Sequence, residues 1–249
     1  MSQTLTKREL REQRRAERRA AEAAERARAQ RVRRVRNLAI AAGLAVVVLG
    51  VAIGVSSGGD GNRSPAQAAA LFNGIPEHNG ALGDPGAPVT VTEFVDLQCP
   101  ICAEASRTAL PPLVRDYVRT GKVKLEARTL HFIGPDSVRA ARVAAGAEQQ
   151  GRLWPFLEAF YAAQKAENSG YVTDDFLRTV ASDSGVNAGK ALAYADTAAA
   201  QKPLSEANAE ASRHGIDATP TFTVQRGDQA PQVVSAADLA QAVAVASRR

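Results

Sequence analysis

Eighteen consecutive residues, Leu38 to Val55, carry no charge and no strongly polar side chain. A helix rising about 1.5 Å per residue covers roughly 27 Å over that stretch, close to the hydrocarbon thickness of a bilayer. The run therefore predicts one transmembrane helix and divides the chain into unlike parts. A cleaved signal peptide is the rival reading, but its apolar region is usually about 7 to 15 residues behind a short basic stretch. This run is longer and stands behind a long basic segment. Arg31, Arg33, Arg34 and Arg36 precede it directly, while only Arg63 follows closely. Cytoplasmic loops hold the excess of basic residues, so the N-terminus is expected inside and the larger C-terminal part outside the membrane.

The two sides differ in composition. All twelve aromatic residues and all twelve prolines lie beyond residue 64, Phe72 and Pro65 being the first. Residues 1–37 form a basic cytoplasmic tail with a net charge of +8, which leaves −3 for the remainder and accounts for the overall +5. The basic field therefore belongs to the tail. A nucleic-acid enzyme carries it on the folded domain, so nucleic-acid processing is excluded as the main function. The tail, rich in Ala, Arg and Glu, suits a solvated helix; it reads either as contact with anionic lipid headgroups or as a topology signal. Residues 56–75, which include Ser56-Ser57-Gly58-Gly59-Asp60-Gly61, read as a flexible tether.

Residues 76–249 carry the pattern of one α/β domain. Val89 to Val95 is a β-branched run predicting a strand buried on both faces except at Glu93. Cys99 to Arg119 is helical in pattern, with Pro100 suited to a first turn and Pro111-Pro112 forcing a kink or restart. Val123 to Phe132 alternates as a second strand. From about 136 to 213 the period becomes helical over four or five segments, an inserted α-helical subdomain. Strands resume at Thr221 to Val224 and Gln232 to Val234, and Ala236 to Ala246 closes the domain as a helix.

The only two cysteines are three positions apart, Cys99-Pro100-Ile101-Cys102. A bridge across so short a loop removes little chain entropy and makes a poor structural staple. A strand feeding Cys-x-x-Cys into a helix places the first sulfur at the helix N-terminus, where unsatisfied N–H groups and the dipole favour thiolate. Cys99 is then the attacking sulfur and Cys102, one turn in, the shielded resolving one. Structural zinc wants four ligands, and His78, His131 and His214 are scattered without a second Cys pair. An inert reduced pair is the remaining bland reading. Trp154, Phe156, Phe160 and Tyr161 at helical spacing read as the core of the insert, and His131 as a structural histidine.

A strand, the Cys99–Cys102 helix, inserted helices, then Gly215-Ile216-Asp217-Ala218-Thr219-Pro220-Thr221-Phe222 before a hairpin and a last helix resembles the thioredoxin superfamily, specifically its DsbA-like, membrane-anchored branch. The resemblance covers about Pro76 to the end. It implies a cis peptide at Thr219-Pro220 facing the sulfurs, leaving the Thr219 backbone free to pair with an extended peptide and its hydroxyl able to reach a sulfur. It also implies a buried acid six residues before the first cysteine, which is Glu93; such an acid relays a proton to or from Cys102, unless the position opens to water. Asp96 is the weaker candidate for that task. DsbA oxidases commonly carry Pro-His between the cysteines, whereas Ile101 offers no positive partner to a Cys99 thiolate, so the redox poise stays open.

These readings combine as an extracytoplasmic thiol-disulfide oxidoreductase that oxidises exported proteins bearing free thiols. The resemblance implies re-oxidation by a quinone-linked membrane oxidase, and no metal or organic cofactor is required. A reductase or isomerase using the same site, and a non-catalytic peptide-binding module built around Pro220, are the alternatives.

Overall fold

The computed structural model describes residues 63–248. The basic tail, the apolar run Leu38–Val55 and the first part of the expected tether lie outside the described residues. Among the described residues no helix is long and apolar enough to cross a membrane.

Among the described residues six strands form one sheet: β1 (Glu77–His78), β2 (Ala81–Leu82), β3 (Val89–Asp96), β4 (Val123–Leu130), β5 (Thr221–Arg226) and β6 (Gln232–Val234), in the order β1-β2-β4-β3-β5-β6. β3 pairs in parallel with β4 and antiparallel with β5, so Glu93 stands between Ala127 and Phe222. A strand flanked on both sides with helices above and below leaves no face for water, and its residues are apolar accordingly. Side chains alternate. Val89, Val91, Glu93 and Val95 therefore share one face, and the three valines join the main core; Phe94 faces the other way, into a smaller cluster with Leu130, Ala207, Ala211 and Ile216.

Nine helices surround the sheet among the described residues: α1 (Pro65–Ala69), α2 (Pro100–Thr108), α3 (Leu110–Leu113), α4 (Pro135–Glu148), α5 (Leu153–Ala163), α6 (Asp174–Asp183), α7 (Ala188–Ala195), α8 (Gln201–Arg213) and α9 (Leu239–Ser247). The restart expected at Pro111-Pro112 occurs: α2 ends at Thr108, and a single π turn, Val114–Val118, follows α3. The expected insert is present as α4 to α8. Trp154, Phe156 and Phe160 of α5 are fully buried, each contributing roughly 1.5–3 kcal/mol by leaving water. Phe160 meets Phe176 edge to face at 5.3 Å. Gly146 of α4 lets the backbone of α7 approach, because a Cβ there would lie 2.5 Å from the Ala191 carbonyl oxygen. Two arginines close helix C-termini, where cations are favoured: Arg152 donates to Ser184 O at the end of α6, and Arg142 donates to Ala195 O and Thr197 O at the end of α7.

One feature departs from the sequence reading. Residues 65–72 are not a loose tether. Ser64 and Gln67 form a capping box that starts α1, and Phe72 packs on Trp154 at 5.8 Å, so buried apolar contact ties this stretch to the domain. Glu93 is 2% exposed, the buried acid that the resemblance implies rather than a position open to water. His131 contacts the Asn208 side chain at 3.3 Å, a structural arrangement of the kind expected.

Candidate active site

β3 delivers the chain to Asp96, and the turn that follows places Cys99 as the N-cap of α2, with extended backbone (φ −73°, ψ 118°) and Pro100 in the first turn. The N–H groups of a helix N-terminus have no carbonyl partners within the helix. The Cys102 N–H uses this freedom and donates to Cys99 Sγ at 3.4 Å. Both cysteines are free thiols, Cys99 6% exposed and Cys102 fully buried.

The two sulfurs differ sharply in acidity. The Cys99 thiol is pushed down to about 6. The Cys102 sulfhydryl contributes most by donating to the Cys99 sulfur; the Thr219 side chain and the N–H groups of Cys102 and Ile101 add to it, and burial opposes it. Cys102 moves the other way, far above the ordinary thiol range, because burial penalises its thiolate and the Cys99 charge repels it. Neutral donors thus do for Cys99 what a cation would do, and the absence of charge at Ile101 leaves the thiolate supported.

Thr219-Pro220 is cis, as the resemblance implies. It faces the sulfurs: Cys99 Sγ lies 3.3 Å from Thr219 O. Ile101 is 56% exposed beside the reactive sulfur, and Phe132, at the end of β4, is 53% exposed. Next to the cis bond a groove of about 750 Å³ is lined by Pro220, Thr221, Val233, Val234, Ala242 and Val245.

The carboxyls separate into distinct roles. Asp96 is engaged three times, accepting from Gln98 N at 2.9 Å, Ser137 Oγ at 2.6 Å and Ile133 N at 3.2 Å. It ties the end of β3 to the start of α4. Glu93 is wholly buried on the face that holds Cys102, and its carboxyl is raised well above the usual range by burial and by a second buried carboxyl, Glu158. The Glu93 charge would raise Cys102 further, so the two lie within electrostatic reach of each other, and a neutral acid in such a place is able to supply a proton. Sequence reasoning did not single out Glu158, nor Gln164, whose amide donates to the Leu97 and Cys99 carbonyls at 2.7 and 3.2 Å and holds the approach to α2.

A central strand, two unequal sulfurs at a helix N-terminus and a cis-proline across from them, with helices inserted before the last hairpin, define a DsbA-like member of the thioredoxin superfamily. The chain belongs to the thioredoxin family, whose model, described as Thioredoxin, matches residues 77–243. It is 36% identical over 102 residues to the Probable disulfide bond formation protein D of Bacillus anthracis, covering 40% of this chain and 47% of that protein. It is 30% identical over 124 residues to the Disulfide bond formation protein D of Bacillus subtilis, covering 48% and 56%. The chain thus spans about half the length of the curated relatives it matches. Among solved structures, BdbD from Bacillus subtilis in its oxidised form aligns with a TM-score of 0.61 at 24% identity over 71% of this chain and 97% of that one. A thioredoxin-like oxidoreductase from Silicibacter pomeroyi aligns with a TM-score of 0.55 at 27% identity, covering 72% and 97%.

Proposed function

We propose that this protein is an extracytoplasmic thiol-disulfide oxidoreductase that oxidises dithiols in exported proteins through a Cys99–Cys102 disulfide. The observation that carries the exchange chemistry is the inequality of the two sulfurs, one favoured as thiolate near neutral pH and one as thiol. The names of the Bacillus relatives, disulfide bond formation proteins, support it.

In the reaction, a substrate thiolate attacks Cys99 Sγ of the oxidised pair. The Cys99–Cys102 bond breaks and its electron pair leaves on Cys102, which takes a proton from Glu93. A second substrate thiolate then attacks the substrate sulfur of the mixed disulfide. Cys99 departs as the thiolate its surroundings favour, and the substrate leaves with one new disulfide. Two thiols are oxidised and one enzyme disulfide is reduced. Pro100 and Ile101 shape the helix start, while Thr219 and Pro220 present backbone and an apolar surface to an extended substrate segment. Regeneration needs an oxidant, for which we assign a quinone-linked membrane oxidase. The anchor Leu38–Val55 would keep the domain beside that partner, and the basic tail would meet anionic lipid on the inner face.

A reductase or isomerase remains the second reading, favoured by one observation. A thiol near 6 is closer to thioredoxin, at about 7, than to DsbA, at about 3.5. The midpoint potential of the full-length protein, equilibrated against defined glutathione ratios, decides between them. A value towards about −120 mV places it with the oxidants, and a value near about −270 mV makes it a donor of electrons. Loss of activity in Cys99→Ala is expected of either enzyme and excludes the binding module; retained function would establish that module instead.

A further inference from the structure

Cys102 cannot shed or take a proton at the surface, and Glu93, which is as deeply buried, meets the same barrier. Giving its proton to Cys102 would leave Glu93 a buried carboxylate within the same step, a costly state, so a relay at Glu93 calls for a continuation outward. The fold supplies one. Ser106 follows Cys102 by one helical turn and shares its face of α2. Its hydroxyl donates to Glu158 Oε2 at 2.7 Å. Glu158 is 2% exposed, and its other oxygen, Oε1, has no hydrogen-bond partner among the described residues. A buried polar atom without a partner costs about 1–3 kcal/mol, and an alanine or leucine in this apolar helix would avoid that cost. Such an atom persists where it has a task or where water reaches it.

Both conditions meet here. Glu158 borders a cavity of about 70 Å³ lined by Arg63, Ala68, Ser106, Arg107, Tyr161 and Ala162, room for about two waters at roughly 30 Å³ each. Two guanidinium groups stand on the lining, and their charges oppose the rise in the Glu158 carboxyl. Tyr161, three residues on and on the same face of α5, lies within the influence of Cys102, Cys99, Glu93 and Asp96. Glu93 acts electrostatically on Cys102 and Glu158 on Glu93, while the Ser106 hydroxyl and the cavity beside Arg63 and Arg107 fix Glu158 between the active-site helix and the surface.

We propose that Glu158 is the outer member of a two-carboxyl proton path serving Cys102, reloading Glu93 and being reloaded from solvent through this cavity. The inference rests on the thiol-disulfide reading and on Glu93 as the inner member. The balance is simple: when the enzyme disulfide is reduced, one proton passes from Glu93 to Cys102, one from Glu158 to Glu93, and one from solvent to Glu158. Re-oxidation runs the same transfers outward. Glu158 touches neither sulfur, so it acts through Glu93. The charged and titratable groups acting on it are Glu93 of β3, Arg107 of α2 and Arg63 before α1. Its carboxyl, raised to about 8 by burial and lowered in part by the Ser106 hydroxyl, stays loaded at neutral pH.

The test measures reduction of the oxidised full-length protein by a dithiol peptide, in rapid-quench experiments across pH 5 to pH 9 by about one unit at a time. Glu93→Gln should slow the step about 100-fold, the lower end for a positioned acid or base, and Glu158→Gln about 10-fold, because it acts one transfer away. The double variant should be no slower than Glu93→Gln, since the two act in series. Glu158→Asp should recover most of the rate. Ser106→Ala, which keeps the carboxyl and loses its donor, should move the upper limb of the pH profile to higher pH, a change that a purely structural residue would not produce. Wild-type rates and profiles in both Glu158→Gln and Ser106→Ala, with Glu93→Gln slow, overturn the outer member and leave the inner one standing. A wild-type rate in Glu93→Gln removes the relay altogether while the exchange activity remains.

Discussion

Replacing Cys102 by alanine removes the group that contributes most to holding Cys99 as thiolate. A hydrogen bond to a charged partner contributes about 1.5–3 kcal/mol, and one pKa unit corresponds to about 1.36 kcal/mol, so the loss should raise Cys99 by about 1–2 units. Starting from about 6, the alanine variant should titrate at about 7–8. Its thiolate fraction at pH 7 would drop from about nine-tenths to between about one-half and one-tenth. Cys102→Ser keeps a donor at the same place and should stay near the wild-type value. The assay is thiolate absorbance in the ultraviolet against pH, paralleled by the rate of alkylation with iodoacetamide, on variants whose thermal unfolding confirms an intact fold. An alanine variant that still titrates at about 6 or below would show that the helix N-terminus and the backbone N–H groups hold the charge alone, and the account of the pair given above would fail.

Two further predictions concern the fold. Gly146→Ala should lower the melting temperature: the new Cβ meets Ala191 O at 2.5 Å and Ala191 Cα at 2.7 Å. Overpacking costs about 1–3 kcal/mol, outweighing a helix-propensity gain of at most about 1 kcal/mol; a rise in melting temperature would refute the close approach of α4 and α7. The stability of the oxidised protein should fall as pH rises through the range where Glu77, raised to about 7, and Glu158, raised to about 8, ionise. A carboxyl raised above its unfolded value makes the native state bind more protons, so its contribution is complete below about 4.5 and is lost through the folded value. Urea unfolding at a series of pH values checks this, and Glu158→Gln should flatten the upper part of the curve; a wild-type curve that is flat or rising would contradict it.

How much of this was legible follows from where each signal resides. The strand of β3, the cysteine pair and Thr219-Pro220 are contiguous motifs, and the insert announces itself through the helical period of α4 to α8; both are written locally. The stretch 65–72 was misread because its Gly- and Ser-rich approach resembles a linker, yet what folds it is Phe72 against Trp154, eighty-two positions away. A local signal did exist in Ser64 and Gln67, the pair that closes the capping box. The small hairpin of β1 and β2 went unread although Asn79-Gly80, both at positive φ, is the strongest short hairpin signal. The contacts of Asp96, read from sequence only as the weaker candidate for the proton task, had no local signal, because Ser137 and Ile133, which donate to it, lie forty-one and thirty-seven positions on. Glu158 was hidden by its neighbours, since a helix carrying Trp154, Phe156, Phe160 and Tyr161 reads as core, and an acid within it looks like an exposed position until its burial is seen.

The sequence question that mattered most was Ile101, and the structure changes its weight. At pH 7, a thiol at about 6 rather than 9 favours the reduced state about tenfold, which for a two-electron couple is about 30 mV. That is a small part of the roughly 150 mV that separates thioredoxin from DsbA. Neutral donors therefore activate Cys99 as a nucleophile and leaving group without by themselves making the pair a strong oxidant. The direction of electron flow then depends less on residue 101 than on which partner recharges the couple. A domain held beside an oxidase outside the membrane would run as an oxidant at a modest potential, because each reduced molecule is drawn back to the disulfide before a reductant reaches it. The same sulfurs beside a reduced membrane carrier would run the other way.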